Sequence, residues 1–207
     1  LILSPHIGDL NSIQAVEYFE RTINTFKNFY DFEPEVVICD KHPNYESTKF
    51  AFKLKEKNPN IKLIQIQHHY SHILSVMAEN KLDEEVLGIA FDGTGFGDDG
   101  NIWGGEVFVA SRKEYKRVNH IKYFRLLGGE MAIKEPKRVA LSLLFDVFSF
   151  EEILLLDIPT VKAFKEAEIK MLYTMWQKGL NAPLTSSVGR LFDAISSFAN
   201  ILHMQTY

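Results

Sequence analysis

Apolar side chains recur at Ile13, Val16, Phe19, Ile23, Phe26 and Phe29. That spacing of three and four predicts a helix over residues 12–29, with Asn11 or Ser12 as its cap. The unbroken run Val36-Val37-Ile38-Cys39 suits a buried parallel strand within residues 35–40. The same alternation continues with a helix at 45–57, broken by Asn58-Pro59-Asn60, a strand at 61–66, a helix at 69–80 and a strand at 86–91. A glycine-rich stretch over 93–105 must then turn sharply before strands at 107–110 and 118–124. Beyond residue 125 the period is helical, over 133–148, 160–178 and 188–202. Pro136 falls in a first turn, where its missing N–H costs nothing, and Ser186 or Ser187 is placed to cap the last helix. The pattern therefore predicts an α/β lobe over 1–125, carrying the metal and phosphate motifs, followed by a mainly helical segment over 126–207.

Composition narrows the class. The 207 residues are 46% apolar and 24% charged, an ordinary globular balance. A formal charge of −4, from 23 basic and 27 acidic side chains, lacks the basic excess of a nucleic-acid binder. No apolar run approaches the ~20 residues that span a bilayer, and no charged-then-apolar leader opens the chain. A lone cysteine, Cys39, fits a reducing, cytoplasmic compartment. The sequence opens at Leu1 and stops at Leu202-His203-Met204-Gln205-Thr206-Tyr207 without a clear cap, so a fragment of a longer protein is expected.

Three clusters carry chemistry. In Gln67-His68-His69-Tyr70-Ser71-His72, a strand hands over to a helix, and His68 and His72 share one face at a spacing that suits two ligands of a divalent ion. His69 is expected to point elsewhere, and the bland alternative is a set of histidines bonded to backbone at a helix start. In Phe91-Asp92-Gly93-Thr94-Gly95-Phe96-Gly97, Asp92 is expected to end a strand, and the alternating glycines to enter positive φ and present backbone N–H groups to phosphate. The alternative is a glycine-rich hairpin with no ligand. A strand-end carboxylate beside such a turn is where a metal bridges protein and phosphate. In Ser186-Ser187-Val188-Gly189-Arg190-Leu191-Phe192-Asp193, a helix start favours an anion, against the plainer reading of an Arg190–Asp193 surface ion pair.

Together with Ser4-Pro5-His6-Ile7-Gly8-Asp9-Leu10 and Trp103-Gly104-Gly105-Glu106, these motifs occur in one order over the whole chain, and in that order the sequence resembles the C-terminal, actin/hexokinase-like domain of HypF hydrogenase-maturation carbamoyltransferases. The resemblance implies an α/β fold of that class, with a mixed-sheet lobe leading into a helical segment of an incomplete second lobe. It implies His68, His72 and Asp92 as ligands of a divalent metal (zinc, iron or magnesium) and Asp92 as the catalytic carboxylate. Gly93, Thr94, Gly95, Gly97, Gly104 and Gly105 are implied at the phosphates of ATP or carbamoyl-adenylate, and Asp193 at the nucleoside. The implied reaction passes a carbamoyl group to the C-terminal cysteine of a HypE-type partner, with the remaining domains of the polypeptide completing the cleft; the fragment alone is expected to be inactive. Rival readings are a tRNA threonylcarbamoyl transferase, a carbamoyltransferase with a small acceptor, and a non-catalytic metal-binding or docking module. The histidine run here is His-His-x-x-His, where threonylcarbamoyl transferases usually carry His-His-x-x-x-His.

Overall fold

A computed structural model describes residues 2–205 and divides the chain into two compact units, one ending at His68 and the other beginning at His69. The first unit is built from α1 (Ile13–Tyr30), β1 (Val36–Asp40), α2 (Glu46–Lys57) and β2 (Lys62–Ile66). Ser12 caps α1 by accepting from the Ala15 N–H at 3.2 Å, and Asp31 ends it in the left-handed region at φ 47°. The Phe19 and Phe50 rings meet edge to face at 5.3 Å, packing α1 on α2. β1 and β2 run parallel, in register from Val36 opposite Lys62 to Asp40 opposite Ile66. Both strands therefore finish at the same end of the unit, and α3 (His68–Glu79) starts two residues beyond that end.

In the second unit the sheet is built from β3 (Val86–Phe96), β4 (Ile102–Ala110), β5 (Tyr115–His120), β6 (Phe124–Arg125) and β7 (Leu184–Thr185). The order is β3-β4-β7-β6, with β5 also pairing β4. β3 is an edge, and Leu87, Ile89 and Phe91 on one of its faces are 59–67% exposed, while Gly88 faces Ile73 and Ala90 is buried. The helical layer contains α4 (Met131–Lys134), α5 (Pro136–Phe145), α6 (Phe150–Leu155), α7 (Pro159–Lys162), α8 (Glu166–Lys178) and α9 (Val188–Phe198). Leu127, Leu141, Phe145, Ile153, Ile169 and Leu172 form one buried cluster, and Phe124, Leu126, Val139, Ala140 and Ala194 another.

The expected passage from sheet to helices near residue 125 falls inside this second unit. Several predicted elements are redrawn. The helix expected over 133–148 is α4 and α5, restarted at Pro136 and stopped after Phe145. That over 160–178 is α7 and α8, because Glu168 accepts from the Lys165 N–H at 2.8 Å and starts a new helix there. The strand expected at 118–124 is two, β5 and β6. Among the described residues no helix is long and apolar enough to cross a membrane.

Candidate metal and nucleotide site

His68 is the first residue of α3, so the helix itself fixes its position relative to His72 one turn on. Asp92 lies in β3, with its Oδ2 3.8 Å from His72 Nε2 and 3.6 Å from His69 Nε2. The ligand atoms of His72 and Asp92 thus stand side by side within the second unit, and His68 lies one helical turn before His72 on α3. Metal–ligand bonds of about 2.0–2.2 Å bring such atoms together around one ion with a small inward shift, and two imidazoles with a carboxylate suit zinc, iron or manganese. His69 leaves the face of His68 and His72, as expected, but stays near the carboxylate: it is fully buried, with Nε2 3.6 Å from Asp92 Oδ2 and its ring 6.2 Å from the Trp103 ring. Its position one residue after His68 turns it inward, where α3 packs.

The glycine-rich stretch departs from expectation. β3 does not end at Asp92 but continues to Phe96, through a bulge between Phe91 and Gly95. None of Gly93, Gly95, Gly97, Gly104 and Gly105 has positive φ; only Gly100, in the turn between β3 and β4, does, at 78°. Close approach explains most of these glycines instead. A Cβ on Gly104 would stand 2.6 Å from the Asp92 carbonyl oxygen and 2.9 Å from Ser187 Cα. One on Gly105 would stand 2.5 Å from the Ser186 carbonyl oxygen, and one on Gly189 2.8 Å from Gly93 Cα. Gly97 makes room for the Trp103 indole. The Gly93 N–H donates to Asp92 Oδ1 at 2.6 Å, which holds the carboxylate, while Thr94 is exposed at the bulge.

Ser187 closes this pinch. Its hydroxyl donates to the Asp92 and Gly93 carbonyls, at 3.0 and 2.8 Å, and accepts from the Arg190 N–H at 3.1 Å, capping α9. Arg190 then lies beside the bulge: Nη2 would be 3.8 Å from a Cβ on Gly93. Its Nη1 is 3.0 Å from Asp193 Oδ2, and both side chains are only 14% exposed, so the ion pair weighed from spacing exists but is not a surface one. Burial raises the Asp193 carboxyl pKa, and the Arg190 charge opposes that.

Sequence reasoning assigned no role to Glu106, a carboxylate inside an apolar strand. It is completely buried and accepts from the Gly104 and Gly105 N–H groups at 3.1 Å each, from the Ser186 hydroxyl and from Arg117 Nε at 2.5 Å. Arg117 stacks on Trp103 at 4.0 Å and reaches Asp99 at 3.3 Å. Asp99 accepts from Trp103 Nε1 at 2.9 Å and from the Tyr123 hydroxyl at 2.5 Å. Burial pushes both carboxyls up, but their hydrogen bonds outweigh it: Glu106 is held below its ordinary range and Asp99 at about 2. Lowered carboxyls contribute stability above the unfolded value near 4 and lose it as pH falls through the folded one. Asp193, raised, acts in the opposite sense. The urea midpoint should therefore fall between about pH 4 and 2, and Asp99→Asn should flatten part of that fall; an identical pH profile in the variant would contradict it.

Residues 88–207 match the family described as carbamoyltransferase, Kae1-like domain, second subdomain, and residues 1–79 match the HypF Kae1-like domain. The chain belongs to the HypF Kae1-like domain family. It is 40% identical to carbamoyltransferase HypF of Synechocystis over 218 residues, covering 99% of this chain and 28% of that protein. The probable carbamoyltransferase HypF of Methanocaldococcus jannaschii is 34% identical, with 99% and 26% covered. A crystal structure of full-length HypF in a phosphate- and nucleotide-bound form superposes with a TM-score of 0.86 at 38% identity, covering 98% of this chain and 25% of that one. HypF of T. kodakarensis gives 0.83 at 35% identity, with 97% and 27% covered. The actin/hexokinase-like α/β class expected from the motifs is thus the HypF fold, and the chain spans about a quarter of the length of these relatives.

Proposed function

We propose that this domain holds carbamoyl-adenylate, made from ATP and carbamoyl phosphate, and serves the transfer of its carbamoyl group to the C-terminal cysteine of a HypE-type partner in hydrogenase maturation. The observation that carries the reading is the pairing of His72 with Asp92 beside the β3 bulge, with His68 one turn earlier on the same helix, in a chain of the HypF family. His68, His72 and Asp92 would hold a divalent ion, which as a Lewis acid supplies charge stabilisation to phosphate and carbamoyl oxygens when bound. The Gly93 N–H keeps the Asp92 carboxylate aimed. Gly93 and the exposed Thr94 shape the surface given to phosphate, Gly95 and Gly97 are buried beneath it, and the buried Gly104 and Gly105 keep it pinned against Ser186 and Ser187. Arg190 adds positive charge beside Gly93, and Asp193 orients it and accepts from a nucleoside hydroxyl. In the transfer the partner thiolate attacks the carbamoyl carbon, a C–S bond forms, the C–O bond to the phosphate breaks, and AMP leaves with the electron pair. The nucleophile comes from the partner, which agrees with Cys39, whose thiol pKa is raised by burial and by the Asp40 charge and so is not activated.

The test is a titration of AMP into the protein with and without Mn2+ or Zn2+, beside a His68→Ala/His72→Ala double variant. Metal-dependent nucleotide binding should appear in the parent and weaken at least about tenfold in the double variant, the smallest loss expected when metal ligation is disturbed. Metal binding without nucleotide binding would favour a docking module. Nucleotide binding indifferent to both metal and histidines would remove the metal from the mechanism.

A further inference from the structure

Asp40 closes β1 at the end of the parallel pair from which α3 departs. Its Oδ2 lies 2.7 Å from His68 Nδ1, across 28 residues of sequence. The carboxylate is itself fixed: Oδ1 accepts from the His42 N–H at 2.7 Å, and the Asp40 carbonyl accepts from the hydroxyl of the fully buried Thr48 at 3.2 Å. The loop that supplies the His42 N–H is rigid in turn, since the Asn44 N–H donates to His42 Nδ1 at 3.2 Å and Tyr45 stacks on the His42 ring at 4.1 Å, 8° from parallel. At 18% exposure the Asp40 side chain is better shielded than a surface partner of a histidine needs to be.

We infer that Asp40 is a positioning residue of the metal site, accepting the Nδ1 proton of His68 and thereby presenting Nε2 as the ligand atom. A neutral imidazole carries one proton, and a carboxylate beside Nδ1 decides that the proton sits there. The same contact stops the ring from rotating about its χ angles and raises the basicity of the opposite nitrogen. The inference rests on the metal reading above and adds a residue to it that lies in none of the motifs used to reach it. A carboxylate placed only for stability would hold the ring without any consequence for metal affinity.

The experiment compares the protein with Asp40→Asn and Asp40→Ala, using two readouts. The first is Co2+ affinity followed by its visible absorption, with thermal unfolding as the control for folding. The second is the ring-15N spectrum of His68 in metal-free protein, recorded well above the ordinary histidine pKa of about 6.5. Co2+ binding should weaken about 10–100-fold in Asp40→Ala, and less in Asp40→Asn, whose amide oxygen still accepts from Nδ1. The ring-15N spectrum should show the Nδ1–H tautomer in the parent and its loss in Asp40→Ala. Parent-like affinity and tautomer in both variants would overturn the inference. Failure of the parent itself to bind Co2+ would sink the metal reading, and the tautomer comparison would still decide what Asp40 does to His68.

Discussion

Glu106→Ala should destabilise the protein by about 3–5 kcal/mol, the range for removing one partner of a buried charge pair. The carboxylate is the shared acceptor for Gly104, Gly105, Ser186 and Arg117, and Ser186 and both glycines, buried with it, have no water to turn to when it goes. Each buried donor left without an acceptor costs about 1–3 kcal/mol. Arg117 is the exception, since it keeps Asp99 at 3.3 Å and the Tyr123 hydroxyl at 2.9 Å. The measurement is the urea midpoint at neutral pH, with an unchanged slope showing that the effect is on stability. A loss under about 1 kcal/mol, the scale of a surface ion pair, would mean that water enters and replaces the carboxylate.

The second large effect is expected from Gly104→Ala. Its new Cβ meets backbone on both sides, the Asp92 carbonyl at 2.6 Å and Ser187 Cα at 2.9 Å, so no side chain can swing away to relieve it. Overpacking of this kind costs about 1–3 kcal/mol. The relief available is a shift of β3 or of the α9 start, and Asp92 moves with the former. Metal affinity should therefore fall along with thermal stability. Gly100→Ala is the matched control: its φ of 78° strains an alanine, but nothing lies within 4 Å of the added carbon. It should lower stability and leave metal affinity unchanged. Equal metal affinity in the two variants would detach Asp92 from the packing of Gly104.

These two positions show where the sequence was readable and where it was not. The His68–His72 pair was legible because i and i+4 on a helix is a local geometry. Asp92 was legible as a carboxylate beside glycines. The role of those glycines was not, because alternating glycine looks the same whether the backbone needs positive φ or needs a neighbour to come close. The neighbours that decide the matter, Ser187 and Gly189, stand more than eighty residues away along the chain. Asp40 was hidden for a related reason: only the parallel register that sets it opposite Ile66 brings it to His68. Glu106 fell within a motif, yet its burial depends on Arg117 and Ser186 arriving from β5 and from the approach to α9. Helix existence followed from periodicity. The break at Lys165 did not, since its signal is one glutamate folding back on a backbone N–H rather than a proline or glycine.

The edge position of β3 bears on how the protein behaves in bulk. Leu87, Ile89 and Phe91 line one exposed face of that edge strand with no charge among them, and an apolar edge strand is a template for pairing with another chain. Asp92 thus sits a single residue from an exposed apolar stretch. Where such pairing makes unfolding irreversible, an apparent thermal midpoint depends on concentration and heating rate and is read together with both.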